Sequence, residues 1–257
     1  HNEPTAWYFD IVYHPGFCEV DLGMSAARRL VNALRELPDS GNKASQLSHA
    51  AAALRTCGAP LAESRDAAAA ALDIAERLGV AAYAAPAANQ MILAYLAEGD
   101  TTRAYEWFER ACKLVEAGTD AAGRSTTWSN GAEIAIRQGR LADAQRLIDE
   151  SQGLVDPAPS SRSEMRYLSF RWRLALLRGR AAPNEHDMRL FLQLHRRTRR
   201  SNGQDSATTV LIRLLLLRGR EREAVRLLND YLVKHRRRGL PVEPDLDALA
   251  RELGVLR

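Results

Sequence analysis

Four glycines, Gly99, Gly139, Gly179 and Gly219, stand 40 residues apart, each closing one apolar segment and preceding another. Spacing this regular limits the chain to an array of similar units, because a period of 20 to 50 residues is the mark of repeat architectures. Glycine suits the end of a helix, where the next residue enters the left-handed region that a β-carbon disfavours. Before the turns stand segments such as Ile92-Leu93-Ala94-Tyr95-Leu96 and Leu211-Ile212-Arg213-Leu214-Leu215-Leu216-Leu217. After them come Ala104, Phe108 and Ala111, then Ala144, Leu147 and Ile148, then Ala224, Leu227, Leu228 and Tyr231. Spacings of three, four and seven place each set on one stripe of a helix. Each turn therefore joins two antiparallel helices. Gly58, 41 positions before Gly99, predicts a further pair formed by residues 45–55 and 61–78.

The segment Tyr95, Gly99-Asp100, Ala104, Phe108, Ala111 resembles the second half of a tetratricopeptide motif, and Trp128, Ala132, Gly139 and Ala144 resemble its aromatic, small, turn and small positions. The run from Leu211 through Gly219-Arg220 to Ala224 is similar to the repeats of LuxR-type large ATP-binding transcription regulators. The period departs from the tetratricopeptide one, being 40 rather than 34, and Asn184 occupies the place of a small residue. The resemblance implies an all-α fold, an α-α superhelix in the form of a right-handed tetratricopeptide-like solenoid of about six hairpins. One domain over residues 1–257 is expected, with an irregular N-terminal cap at 1–44, repeats at 45–240 and a C-terminal cap at 241–257. Within the first cap a helix is expected from Ser25 to Leu37, opened by its serine. Ser161-Arg162-Ser163-Glu164 reads as a capping box ahead of a helix from Met165 to Leu177. Pro241 and Pro244 precede a short helix, Leu246 to Leu253.

Charge is divided along the chain. Residues 1–159 hold 14 Lys and Arg against 21 Asp and Glu, residues 160–240 hold 20 against 7, and the last 17 residues hold 2 against 4. Two basic clusters, Arg196, Arg197, Arg199, Arg200 and Lys234, Arg236, Arg237, Arg238, follow second helices of pairs. Cations complement a helix C-terminus, and they also form a footprint for acidic partners. Neither cluster has interleaved aromatics for base stacking, so nucleic acid is not expected as the main ligand. The resemblance also implies a concave face lined by first helices. In its register the lining is Asn89, Gln90, Ser129, Asn130, Glu133, Arg137, Arg166, Ser169, Arg173 and Arg213, a set suited to an extended acidic or C-terminal peptide.

No catalytic constellation, Gly-rich phosphate loop or nucleophile elbow is present in the sequence, so the chain is not expected to be an enzyme or to carry a cofactor. Glu185-His186-Asp187 lacks the three- or four-residue spacing of ligands on a helix and reads as a helix start, so no metal site is expected. Cys18, Cys57 and Cys112 show no Cys-x-x-Cys pattern, and a reducing, cytoplasmic setting is expected. No run is long enough to span a membrane. The chain opens with His1 rather than Met and is expected to be part of a longer protein. The functional expectation is a non-catalytic protein- or peptide-binding domain, the regulatory or sensory part of a bacterial signalling or transcription protein. Two alternatives stand beside it. One is a scaffold that dimerises through an end cap or an apolar N-terminal face around Trp7, Tyr8 and Phe9; the other is an RNA-binding repeat using the basic half.

Overall fold

The computed structural model describes the backbone of residues 20–118, 120–154, 161–179, 183–197, 205–239, 242 and 244–255. Among these residues there are twelve α-helices and no strand: α1 (Val20–Arg35), α2 (Gly41–Thr56), α3 (Leu61–Arg77), α4 (Ala81–Glu98), α5 (Thr101–Glu116), α6 (Ala121–Arg137), α7 (Leu141–Gly153), α8 (Ser161–Leu177), α9 (Glu185–Arg197), α10 (Asp205–Leu217), α11 (Glu221–Arg238) and α12 (Pro244–Glu252). The chain divides into two compact units, His1–Asp156 and Pro157–Arg257. Each is an all-helical stack of neighbouring pairs, the arrangement of a helical repeat.

In the first unit every helix from α1 to α7 packs on the next, and α2 also packs on α4 and α4 on α6. The first helices of the pairs α2/α3, α4/α5 and α6/α7 therefore lie side by side, backed by the second helices. Their relative direction follows from two bonds. Asn89 on α4 meets Thr127 on α6, and the Arg137 guanidinium near the end of α6 donates to the Leu96 carbonyl near the end of α4, so the two helices run parallel. In the second unit α8 packs on α9 and α10, α9 on α10, and α10 on α11. Leu246, Leu249 and Ala250 of α12 enter the same core.

The two cores differ in composition. The first is rich in buried alanine, including Ala44, Ala50, Ala51, Ala67, Ala68, Ala71 and Ala84, so its helices approach closely without large side chains between them. The second is filled by Met165, Leu168, Trp172, Met188, Phe191 and leucines of α10.

The turn glycines do what the spacing predicts. Gly58, Gly99, Gly139, Gly179 and Gly219 all have positive φ, between 63° and 81°. At Gly139 the amide donates to Ile136 O at 3.0 Å and Arg140 N donates to Ala135 O at 2.8 Å, the paired bonds of a Schellman ending. The same two bonds recur at Gly99 and Gly219. A second glycine series, Gly79, Gly118 and Gly239, closes second helices and also has positive φ, a repeat signal that the sequence reading did not use. A β-carbon at Gly139 would have nothing within 4 Å, so only the backbone penalty opposes one. Gly139→Ala is expected to lower stability by about 1–2 kcal/mol, read as a shift in the urea midpoint at unchanged slope.

Several boundaries differ from expectation. α1 begins at Val20, so Ser25 lies inside the helix rather than capping it. α2 begins at Gly41, with the Ser40 hydroxyl accepting from Lys43 N at 3.2 Å, so a division at residue 44 would cut this helix. α8 starts at Ser161, which puts the residues read as a cap inside its first turn. In the third full 40-residue unit the second helix starts late. Asn184 is its cap, accepting from Asp187 N at 2.8 Å, and Met188, wholly buried, takes the place held by Ala104, Ala144 and Ala224 in the other pairs. Residues 1–19, with Trp7, Tyr8, Phe9 and Cys18, lie outside the described residues. No helix among the described residues is long and apolar enough to cross a membrane.

Candidate functional site

The turn glycine sets a register for each first helix. Ten positions before it stand Ser48, Asn89, Ser129, Ser169 and Thr209, small polar residues in all five helices. All five are buried. The reason is geometric: a first helix is covered on one flank by its own partner and on others by neighbouring first and second helices. Only a narrow stripe stays open.

Asn89, Asn130 and Ser129 therefore belong to the interior rather than to a groove lining. Asn89 Nδ2 donates to Thr127 Oγ1 at 2.9 Å, Asn130 Nδ2 donates to Asn89 Oδ1 at 2.8 Å, and Thr127 Oγ1 donates to Gly123 O at 3.2 Å. This chain joins α4 to α6. The Ser129 and Ser151 hydroxyls share a bond of 2.9 Å, and Ser151 donates to Ser125 O at 2.9 Å, joining α6 to α7. Ser169 is buried in the second unit. Gln90 is half-buried, with Oε1 shielded from water and without a hydrogen-bond partner.

The open stripe runs through positions thirteen, six and two before the glycine. In the first unit it carries mostly small or weakly polar residues on α2 and α4, Ser45, Ala52, Thr56, Pro86 and Ala97, with the half-buried Leu93 between the last two. On α6 the stripe carries Glu133 and Arg137, paired with each other at 2.7 Å. The second helices present the opposite character. Their outer faces are charged and laced by pairs, between helices for Arg28 with Glu63 and Arg110 with Glu76, and to the loop before α2 for Arg77 with Asp39.

In the second unit the stripe is basic and apolar together. Arg166 is exposed and Arg173 half-buried on α8, and Arg213 is exposed on α10. Two residues before the glycines, Leu177 is 53% exposed and Leu217 is 59% exposed, the most open large apolar side chains among the described residues. They occupy the same register on two helices that pack together, and Arg173 and Arg213 stand one turn before them. The sequence places both arginines on the expected lining and both leucines in apolar helix segments. Leucine in an apolar run reads as core, and only the position two before each glycine marks these as outward.

A further residue escaped that reading. Arg55 stands three before Gly58, where the other first helices have Leu96, Ile136, Leu176 and Leu216. Its Nε is buried without a hydrogen bond, and burial pushes the guanidinium pKa down from its ordinary value. A cation inside an apolar register was the available signal.

Of the two basic clusters, Arg236 and Arg237 are exposed and Lys234 is half-buried in the last turns of α11, before the left-handed cap Gly239. The side chains of Arg196, Arg197 and Arg238, and all of Arg199 and Arg200, lie outside the described residues. Glu185, His186 and Asp187 open α9, and no group of three or more metal-ligating side chains occurs among the described residues. Cys57 is buried, and the Cys112 thiol is pushed up to about 11, first by burial and then by Glu116, Glu109 and Glu150. The Cys112 thiol thus lacks the lowered pKa of a reactive thiolate. No protein-family model matches the chain, and no curated protein matches it.

Proposed function

We propose that this chain is a non-catalytic, tetratricopeptide-like repeat domain that binds an acidic peptide segment through the first-helix face of its second unit. The carrying observation is the double row of Arg173 with Arg213 and Leu177 with Leu217. A leucine side chain left more than half open contributes binding energy when covered, at roughly 25 cal/mol per Å² of apolar area removed from water. Arginines one turn away select carboxylates, which they hold through paired hydrogen bonds. A peptide that alternates acidic and apolar residues satisfies both, and the surplus of 20 basic over 7 acidic residues in 160–240 speeds its encounter. The regulatory or sensory setting, in a bacterial signalling or transcription protein, is supported by the resemblance of the repeats alone.

The reading is tested with two labelled synthetic peptides, one of glutamate and leucine and one of lysine and leucine, followed by fluorescence anisotropy. The acidic peptide is expected to bind, more weakly as salt is raised. Changing Arg173 and Arg213 together to Gln is expected to weaken it about tenfold, the worth of two partly exposed ion pairs. Changing Leu177 and Leu217 together to Ser is expected to weaken it at least as much. Equal binding of the lysine peptide, or affinity unchanged in both variants, rejects the proposal.

A further inference from the structure

We propose that a slot between α1 and α3 in the first unit binds a small zwitterion bearing a large apolar group, an amino-acid-like molecule. The slot holds about 500 Å³, within the range of small-molecule sites. Its floor is Leu34, Leu47, Leu54 and Ile74, all buried. It is closed at one end by the two-bond pair of Arg28 with Glu63, both contacts 2.8 Å, and at the other by Arg77 with Asp39 at 2.7 Å.

The space exists because of two particular residues. Counted from the buried small residue that opens each second helix, Ser64 in α3 and Ala104 in α5, Ala67 and Ala70 of α3 correspond to Trp107 and Arg110 of α5. On α5 these two side chains stack, with the guanidinium 5.0 Å from the indole ring, and Arg110 reaches across to Glu76 of α3. The seam between α3 and α5 is filled by that stack. At the seam between α1 and α3 alanines stand instead, and the slot stays open above the floor.

Ligand class follows from the charges on the walls. Most neutralise one another: Arg28 with Glu63, Arg77 with Asp39 and Asp73, and Lys43 with Asp39 and the Leu37 carbonyl. Among the described residues Arg35 on the α1 wall and Asp66 on the α3 wall form no ion pair or side-chain hydrogen bond, and Asp66 acts only at longer range on its chain neighbour Arg65. One unspent cation and one unspent anion above an apolar floor match a carboxylate, an ammonium and an apolar group on a single molecule. A ligand with only one charge would leave one wall unmatched.

The test titrates the full chain, by nuclear magnetic resonance or calorimetry, with L-phenylalanine, 2-phenylethylamine and 3-phenylpropionate. The last two keep the ring and one charge each. L-Phenylalanine is expected to bind about tenfold or more tightly than either, as two exposed charge contacts allow. Arg35→Gln is expected to bring it down to the level of the amine while leaving the amine unaffected, and Asp66→Asn to bring it down to the level of the acid. Ala67→Trp combined with Ala70→Arg rebuilds the α5 stack and is expected to abolish binding at an undiminished melting temperature. No binding of L-phenylalanine at about 10 mM, weaker than any specific small-ligand site, overturns the proposal. So does equal binding of the three probes, or binding that survives the filled slot. Should the filled variant fail to fold, the opposite effects of the Arg35 and Asp66 variants decide.

Discussion

Replacing Asn89 by alanine is expected to cost about 3 kcal/mol of stability, although the residue looks from sequence like a solvent-facing position of an amphipathic helix. Its carboxamide both donates to Thr127 and accepts from Asn130, and all three residues are buried. Truncation removes two hydrogen bonds and strands the Asn130 amide away from water, where an unsatisfied group costs about 1–3 kcal/mol by itself. Equilibrium urea unfolding measures the loss, with Asn32→Ala on the exposed face of α1 as the control, expected within about 0.5 kcal/mol of the parent. Replacing Asn89 and Asn130 together by leucine is expected to recover most of the loss, because no polar group is then left unpaired. A cost for Asn89→Ala no larger than the control's would mean that the α4–α6 contact does not rest on this chain of bonds.

The second large effect has a sign opposite to the usual rule. A glycine inside a helix is ordinarily improved by alanine, by roughly 0.5–1 kcal/mol. Gly131 on α6 is different, because a β-carbon there would lie 2.4 Å from Cε2 and 2.5 Å from Cζ of Phe108. The ring has little freedom to yield. It is buried on α5, edge-on to Trp128 at 6.2 Å between centroids, with Tyr105 at 6.1 Å. Gly131→Ala is therefore expected to destabilise by about 1–2 kcal/mol, and Gly131→Val by about 3, the scale of overpacking in a dense core. Thermal unfolding reads both. Introducing Phe108→Leu is expected to shrink the penalty of Gly131→Ala, a coupling that a double-mutant cycle isolates. Stabilisation by Gly131→Ala in the parent would show that α5 and α6 do not meet as closely as described.

The two sites proposed above share an origin in the repeat. In each, one unit departs from what its neighbours place at the same register, and the departure opens a surface. Leu177 and Leu217 stand where the first unit has Thr56, Ala97 and Arg137. Ala67 and Ala70 stand where α5 has Trp107 and Arg110. A shared backbone thus leaves binding chemistry to the few positions at which successive units differ.

Much of the architecture was written in local sequence. A helix end that must turn through a left-handed residue demands glycine, so the turns at Gly58, Gly99, Gly139, Gly179 and Gly219 could be placed without knowing what packs where. The apolar stripe was equally local: Ala104, Phe108, Ala111, Ala144, Leu147, Ile148, Ala224, Leu228 and Tyr231 are buried as their spacing predicts, and Leu227 is half-buried at the edge of the stripe. Which polar residues of the first helices meet water was decided only in the tertiary structure. Periodicity describes one helix and one face, whereas α4 is covered from several directions by α2, α3, α5 and α6. Coverage of this kind takes Asn89 and Asn130 inside, while Leu177 and Leu217 stand on the open stripe of their own helices. Likewise an alanine at position 67 carries no local mark of a cavity, since empty volume is set by the side chains of three helices at once, and only their packing turns two small residues into a slot.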